Sequence, residues 1–439
     1  MHIKRALPVL LMAPWLWTAT VPTAEAEDLW QIYTLAVQHD ASLAVAGEKK
    51  AVGVEALPQG LAALLPSSAL TMQHSAIHMT KPIEDDFSKD GYTLTLQMPV
   101  FHWESIKGYE KAKVEEKKAL LEYAVAEQDL VMRAARLYYD ALLAMDTHRL
   151  ALAEREAMGQ RLATTKARLE VGTAVMTDLH DAQAAYDMAE TGVIGAENQL
   201  QSRFEALGEV VGQPVTALAP LRKEIPLLKP DPEDIEGWVQ RAQVENLSLR
   251  LAELDREIAE RASEASLAGH LPAVDVVAMH NYTDSSAPPA MEGGQRRSSS
   301  LTLQMTLPLY AGHGTTSKVR QAKAAHNMTR EAVDLARRQV MRLARDGYRG
   351  VLAAIAQIQA TRQVLISTQG NLETTEAGYE AGIRTMTDVV ASQRELFRAR
   401  RDHAQARYAY ILQSLGLKQV AGLLSSEDLK AVNAWNQNP

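Results

Sequence analysis

Residues 171–178 read VGTAVMTD and residues 381–388 read AGIRTMTD, while the pentapeptide LTLQM stands at both 94–98 and 301–305. Two pairs of markers in the same order and at similar spacing make the chain a tandem duplication, which limits it to folds that one half can build twice. Each long motif follows a stretch free of proline, since none occurs between Pro99 and Pro214 or between Pro308 and Pro439. A helix interior rejects proline because it lacks the N–H and clashes with the preceding turn. Those two runs are therefore the helical parts of the chain.

Residues 104–170 are rich in Ala, Leu, Glu, Lys, Arg and Gln, all good helix formers. Leu130, Ala134, Leu137, Ala141 and Ala144 recur at three-four spacing, and Val131, Ala135, Tyr138, Leu142 and Met145 form a second stripe beside them. A helix with two adjacent apolar faces fits a curved wall of helices. At 1.5 Å per residue it would run to roughly 100 Å, which implies a coiled-coil architecture. The pattern places helices at 28–63, 104–170 and 178–212 in a first repeat (27–213), with a tip turn at 171–177. The second repeat (233–419) places them at 233–269, 315–380 and 388–416, with its tip turn at 381–387. A linker at 214–232 and a C-terminal segment at 420–439 complete the chain.

Between the short and long helices of each repeat lies a hairpin, at about 69–101 and 274–310. Tyr92, Leu94, Leu96, Met98 and Val100 alternate with Thr93, Thr95 and Gln97, and Leu301, Leu303, Met305, Leu307 and Leu309 alternate with Thr302, Gln304 and Thr306. Half-buried hairpins of a soluble domain would show the same alternation. The strand length of about ten residues, the uncharged polar face and the flanking Phe101, Trp103 and Tyr310 favour membrane strands with an interfacial aromatic girdle. Four strands cannot close a barrel, and open edges are not tolerated in lipid. Two chains would supply eight strands, too few for an open lumen, whereas three would supply twelve and leave a channel.

The formal charge of -8 gives no reason to expect nucleic acid as a partner, and the absence of cysteine removes disulfides, thiolate metal sites and a lipid-anchored cysteine. Residues 1–26 have a basic start, an apolar middle and a small-x-small end at Ala24-Glu25-Ala26, the layout of a secretory signal peptide. The chain is thus expected to be exported.

With these features in register, the sequence resembles the TolC family of outer-membrane efflux proteins. The resemblance is carried by RLEVGTAVMTDLHDAQ at 168–183, GYEAGIRTMTDVVASQ at 378–393, LPLYAGHG at 307–314 and the closing RYAYILQSLGLKQVAGLLSSEDL. It implies a mixed, mainly α membrane protein: a homotrimer with a twelve-stranded outer-membrane β-barrel continued by an α-helical barrel through the periplasm. The segments 214–232 and 420–439 would form an equatorial belt. The implied partners are outer-membrane lipid, a periplasmic adaptor (membrane fusion) protein and an inner-membrane RND-type pump or ABC exporter. No enzyme activity and no cofactor are implied. A soluble periplasmic coiled-coil adaptor or scaffold is the rival reading.

Gly172 and Gly382 suit the left-handed end of a helix, and Thr177-Asp178 and Thr387-Asp388 suit the start of the next. Helix capping alone would explain them, but not Arg384. Matched motif to motif, the family's periplasmic gate falls on Asp178, Tyr379 and Arg384. The resemblance also puts constriction charge at Asp388, but Ala391 stands where a second acidic ring is expected. Asp181 occupies the equivalent place in the first repeat, so Asp178, Asp181 and Asp388 together are expected to keep the mouth acidic. His74 and His78 share a strand face and could bind a metal, although barrel histidines need no such role. GHGTTSK at 312–318 lacks the ending of a phosphate loop, and a strand-to-helix turn accounts for it. No catalytic signature is present.

Overall fold

The structure, a computed structural model, describes residues 26–80, 85–288 and 293–436. The expected leader therefore lies outside the described residues, save for Ala26. The first half runs α1 (Leu29–His39), α2 (Ala41–Val54), α3 (Ala56–Ala62), β1 (Ser67–Met79), β2 (Asp85–Phe101), α4 (Trp103–Glu170) and α5 (Met176–Val211). The second half runs α6 (Ile235–Glu245), α7 (Leu247–Ser266), a 3-10 turn (Leu267–His270), β3 (Ala273–Ser285), β4 (Gly294–Thr306), α8 (Gly314–Glu380) and α9 (Met386–Val420). A short α10 (Ser426–Asn433) follows. The chain is mainly helical with four antiparallel strands, as the sequence implied, and the first part of each half is broken rather than one continuous helix.

The first break of each half has the same cause. Asp40 ends α1 and caps α2 by accepting the Leu43 N–H at 2.7 Å, and Asn246 does the same between α6 and α7 with Leu249 at 2.9 Å. A short polar side chain at this position offers the backbone an alternative to the continued helix. Both caps also tie their helices to the wall: Asp40 takes the Arg133 guanidinium at 2.7 Å, and Asn246 donates to the Val420 carbonyl at 2.8 Å.

The strands form one sheet in the order β1-β2-β3-β4, so β1 and β4 are its edges. Leu70 pairs with Leu94, Leu96 with Ala278 and Val276 with Leu303, which aligns the apolar residues of all four strands on one face. From Tyr92 to Val100 this face spans roughly 27 Å at the rise of a strand, close to the height of a membrane barrel's apolar band. It remains exposed in the single chain. β3 runs to Ser285, while β4 stops at Thr306, ahead of Pro308, which has no N–H to add to a ladder. Among the described residues no helix is long and apolar enough to cross a membrane.

The helices make a wall one layer thick. Near the sheet the order of neighbours is α2-α4-α7-α8, and in the tip half it is α5-α4-α9-α8. One flank of the protomer is thus β1, α2 and α5, and the other is β4 and α8. The largest core lies at the middle, where Tyr138, Tyr139, Leu142, Leu207, Trp238, Tyr408 and Ile411 meet residues of the linker and of α10. Full burial of each such side chain contributes about 1.5–3 kcal/mol. The linker is strapped on by hydrogen bonds: Tyr138 Oη donates to the Ala219 carbonyl at 2.7 Å, and the Leu228 N–H donates to Tyr410 Oη at 2.7 Å. The Arg222 N–H donates to the Trp435 carbonyl at 3.0 Å, which closes the strap onto the C-terminal segment.

Candidate functional site

Both tips end their long helix in the same way. At the first, the Gly172 N–H donates to the Leu169 carbonyl at 3.0 Å and the Thr173 N–H to the Arg168 carbonyl at 2.8 Å; at the second, Gly382 donates to Tyr379 at 3.0 Å and Ile383 to Gly378 at 2.8 Å. This paired pattern is the Schellman end, and it needs a left-handed residue. Gly172 and Gly382 supply it, with φ of 77° and 74°.

The following helices start differently. The cap of α9 is Thr385, whose hydroxyl accepts the Asp388 N–H at 3.2 Å, while Asp388 accepts the Thr385 N–H at 3.0 Å and its hydroxyl at 2.9 Å. The Thr385 backbone bond, helped by the hydroxyl bond and the nearby Arg384 charge, holds the Asp388 carboxyl below the usual carboxylate range. The cap of α5 is Val175, which has no side-chain oxygen to offer. Asp178, in the first turn of α5, is half-buried and makes no side-chain hydrogen bond or ion pair within the described protomer. Thr177 and Thr387, expected to open the helices, lie inside them, because the helices begin at Met176 and Met386.

Asp181 reaches across to the second tip and accepts the Thr387 hydroxyl at 2.6 Å. Tyr379 is met by Arg168, whose guanidinium lies 5.5 Å from its ring centroid, a cation–π contact. Arg384 folds its stem over Gly378, where a Cβ would come within 2.8 Å of its Cγ. The protomer alone therefore does not join Asp178, Tyr379 and Arg384 to one another. It does join α4 to the second tip through residues the sequence reading passed over: Arg161 pairs with Glu376 and donates to Gln393 Oε1 at 3.3 Å. Arg161 and Arg168 are seven residues apart on α4 and so share a face, and that heptad spacing was the available signal. These side chains line a groove of about 360 Å³ between α4 and α8, floored by Met386 and Gln393 of α9.

At the base of the sheet, Phe101 follows a bulge at Pro99/Phe101 and pairs with Val274. Trp103 opens α4 with the Lys107 ammonium 5.0 Å from its ring centroid, and exposed Tyr310 lies edge-on to His313 at 5.9 Å. The far end carries a second aromatic row that the sequence reading did not single out. Tyr92 stacks on Tyr282 at 5.5 Å, and Arg297 lies 5.5 Å over Tyr282. His74 pairs with Asp90 at 2.6 Å and His78 with Asp86, as cross-strand neighbours. Among the described residues no group of three or more acidic or histidine side chains is placed to hold a metal. The 312–318 segment turns into α8 through Gly312 and His313, both in the left-handed region.

Comparison with known proteins gives one answer. The family described as outer membrane efflux protein matches the chain twice, over residues 33–213 and 238–423. The outer membrane protein TolC of Vibrio cholerae serotype O1 is 32% identical over 436 residues, covering 98% of each chain. The proteases secretion protein PrtF of Dickeya chrysanthemi is 26% identical over 429 residues, covering 95% of this chain and 92% of its own. The crystal structure of the outer membrane protein VceC of Vibrio cholerae superposes with a TM-score of 0.77 at 17% identity, covering 90% of this chain and 96% of its own.

Proposed function

We propose a function for this chain from the premise that it belongs to the outer membrane efflux protein family, whose members are channels and not enzymes. The chain is an outer-membrane channel of an efflux or secretion system in a Gram-negative bacterium. Three copies, joined β4 to β1 and α8 to α2 and α5, would close a twelve-stranded barrel in the membrane and a helical barrel beneath it. The observation that carries this reading is a four-stranded sheet with an exposed apolar face and two unpaired edges. Unpaired backbone groups cost several kcal/mol each in lipid, so the edges must find partners, and two copies would leave no open lumen.

In this assembly Phe101, Trp103 and Tyr310 stand at the periplasmic interface of the membrane, while residues 214–232 and 420–436 form the belt; the rest of the expected C-terminal segment lies outside the described residues. The channel is a passive exit duct, receiving cargo from an inner-membrane RND-type pump or ABC exporter through a periplasmic adaptor. PrtF, by its name a protein of protease secretion, supports secreted polypeptides as a cargo class beside small toxic solutes and drugs.

The gate is at the tips. Asp178 and Arg384 lack ion-pair partners among the described residues of one protomer, and a neighbouring copy brings the other flank of the wall to each. A carboxylate facing a guanidinium and a phenol at a wet turn is a weak contact, about 0–1 kcal/mol. A few such links between copies hold the mouth closed and still yield to a docking partner.

The test is planar-bilayer conductance of detergent-extracted protein, wild type beside an Asp178→Ala, Arg384→Ser double variant. A small wild-type conductance that rises in the variant is the expected result. Equal conductance would keep the channel and reduce the tips to helix capping; no conductance from well-folded protein would return the periplasmic scaffold as the reading.

A further inference from the structure

Along the tip half of α9, the side chains left open recur on one stripe: Asp388 half-exposed, then Ala391, Glu395, Arg398 and Asp402 exposed. Because α9 lies between the α4/α5 pair and α8 of its own protomer, this stripe cannot be covered sideways by a neighbouring copy. It must face either the inside or the outside of the wall. The opposite side of the helix settles which: Arg407 donates to the Arg222 carbonyl and Tyr410 accepts from Leu228, so that side carries the linker strap. A strap on the inner side would obstruct a conduit, so the stripe is the inner one.

Among the described residues, Glu395, Arg398 and Asp402 make no hydrogen bond or ion pair. Resting on the channel reading above, we infer that Glu395 is a selectivity-determining residue of the duct, forming a ring of three carboxylates that favours small cations, opposed by a ring of three Arg398 guanidinium groups just beyond it. The helical rise puts Glu395 roughly 10 Å along the axis from Asp388, more than the Debye length of about 8 Å at physiological salt. The two acidic rings therefore act as separate stations. Arg398 lies only about 4–5 Å further on, within that screening distance, so it offsets Glu395 directly. Ala391 contributes no charge, and the next acid on the inner stripe takes its place one turn on.

The test is the reversal potential of single channels in a KCl gradient, with potassium and chloride as the probes. Glu395→Gln is expected to shift the potential toward the chloride side and Arg398→Gln to shift it toward the potassium side. Both positions are exposed and both changes leave packing intact, so opposite signs report position on the conducting path and not a general loosening. Unmoved potentials in both variants of a conducting channel would overturn the inference while keeping the channel reading. Absence of conductance in folded wild type would overturn both.

Discussion

At the first tip Met176 is 58% exposed; at the second, its counterpart Met386 is 2% exposed. The two turns share their helix-ending glycine, their hydrogen-bond pattern and the MTD tripeptide, yet one following helix is an edge and the other is interior. α9 is clamped between the α4/α5 pair and α8, with Met386 and Val390 packed on Met158 of α4 and on Ala185 and Ala189 of α5. Its other side is packed through Val389 against Leu372. α5 packs on α4 and, through Ala185 and Ala189, on α9, but among the described residues no further long helix covers its outer flank. Duplication copies local structure faithfully, but a curved wall must have ends, and the copy that lands at an end is left with a face for a neighbour to cover.

The most severe way to break this comparison is to truncate the two methionines. Met386→Ala should cost about 2–4 kcal/mol, as large-to-small core changes do, and Met176→Ala should cost far less, both read from chemical unfolding in detergent. Equal losses would mean that assembly buries α5 as deeply as α9 and that the asymmetry exists only in the isolated protomer.

The caps give a finer test. Thr385→Ala should cost about 1 kcal/mol by removing the hydroxyl that caps α9. Val175→Thr should do the reverse at the first tip, drawing Asp178 into a capping box like that of Asp388. Slower amide exchange in the first turn of α5 would register the new cap. If Asp178 also holds the gate, the same variant should conduct more, because one carboxylate cannot serve both partners fully.

The smallest effect concerns pH. The Asp388 carboxyl is held below its ordinary value of 3.8 by Thr385, so its contribution is fully present above that value. It is lost as the pH falls through the lowered one. Amide exchange at the start of α9 should quicken in that acid range in wild type. Asp388→Asn should flatten the dependence. An unchanged profile in the variant would remove the capping box as its cause.

Much of this was legible in the chain. Proline-free runs with three-four apolar spacing announce long helices, and strict alternation around LTLQM announces strands. The mainly helical fold with four strands followed from those patterns and from the family resemblance. Tyr282 lies outside the alternation around LTLQM, and only its pairing with Tyr92 in the sheet marks it as part of a strand that continues to Ser285. The caps were misplaced by two residues, which hid the consequence of Val175 standing where the second tip has Thr385. The meeting of Arg168 with Tyr379, and of Arg161 with Glu376, joins residues more than two hundred positions apart. Heptad spacing puts Arg161 and Arg168 on one face of α4, but only the packing of α4 against α8 shows which residues that face meets.

The sequence by itself determined what depends on near neighbours along the chain: glycine at the left-handed ends, helix length, strand alternation, and the fact that everything is done twice. Tertiary structure alone decided which copy is interior and which is edge, and with that which charges are open. Met386 is buried and Met176 is not; the stripe through Glu395 faces away from the strap. The reason is physical. Backbone geometry and periodicity are set by a few adjacent residues, whereas burial and the company a charge keeps depend on where the wall places each helix.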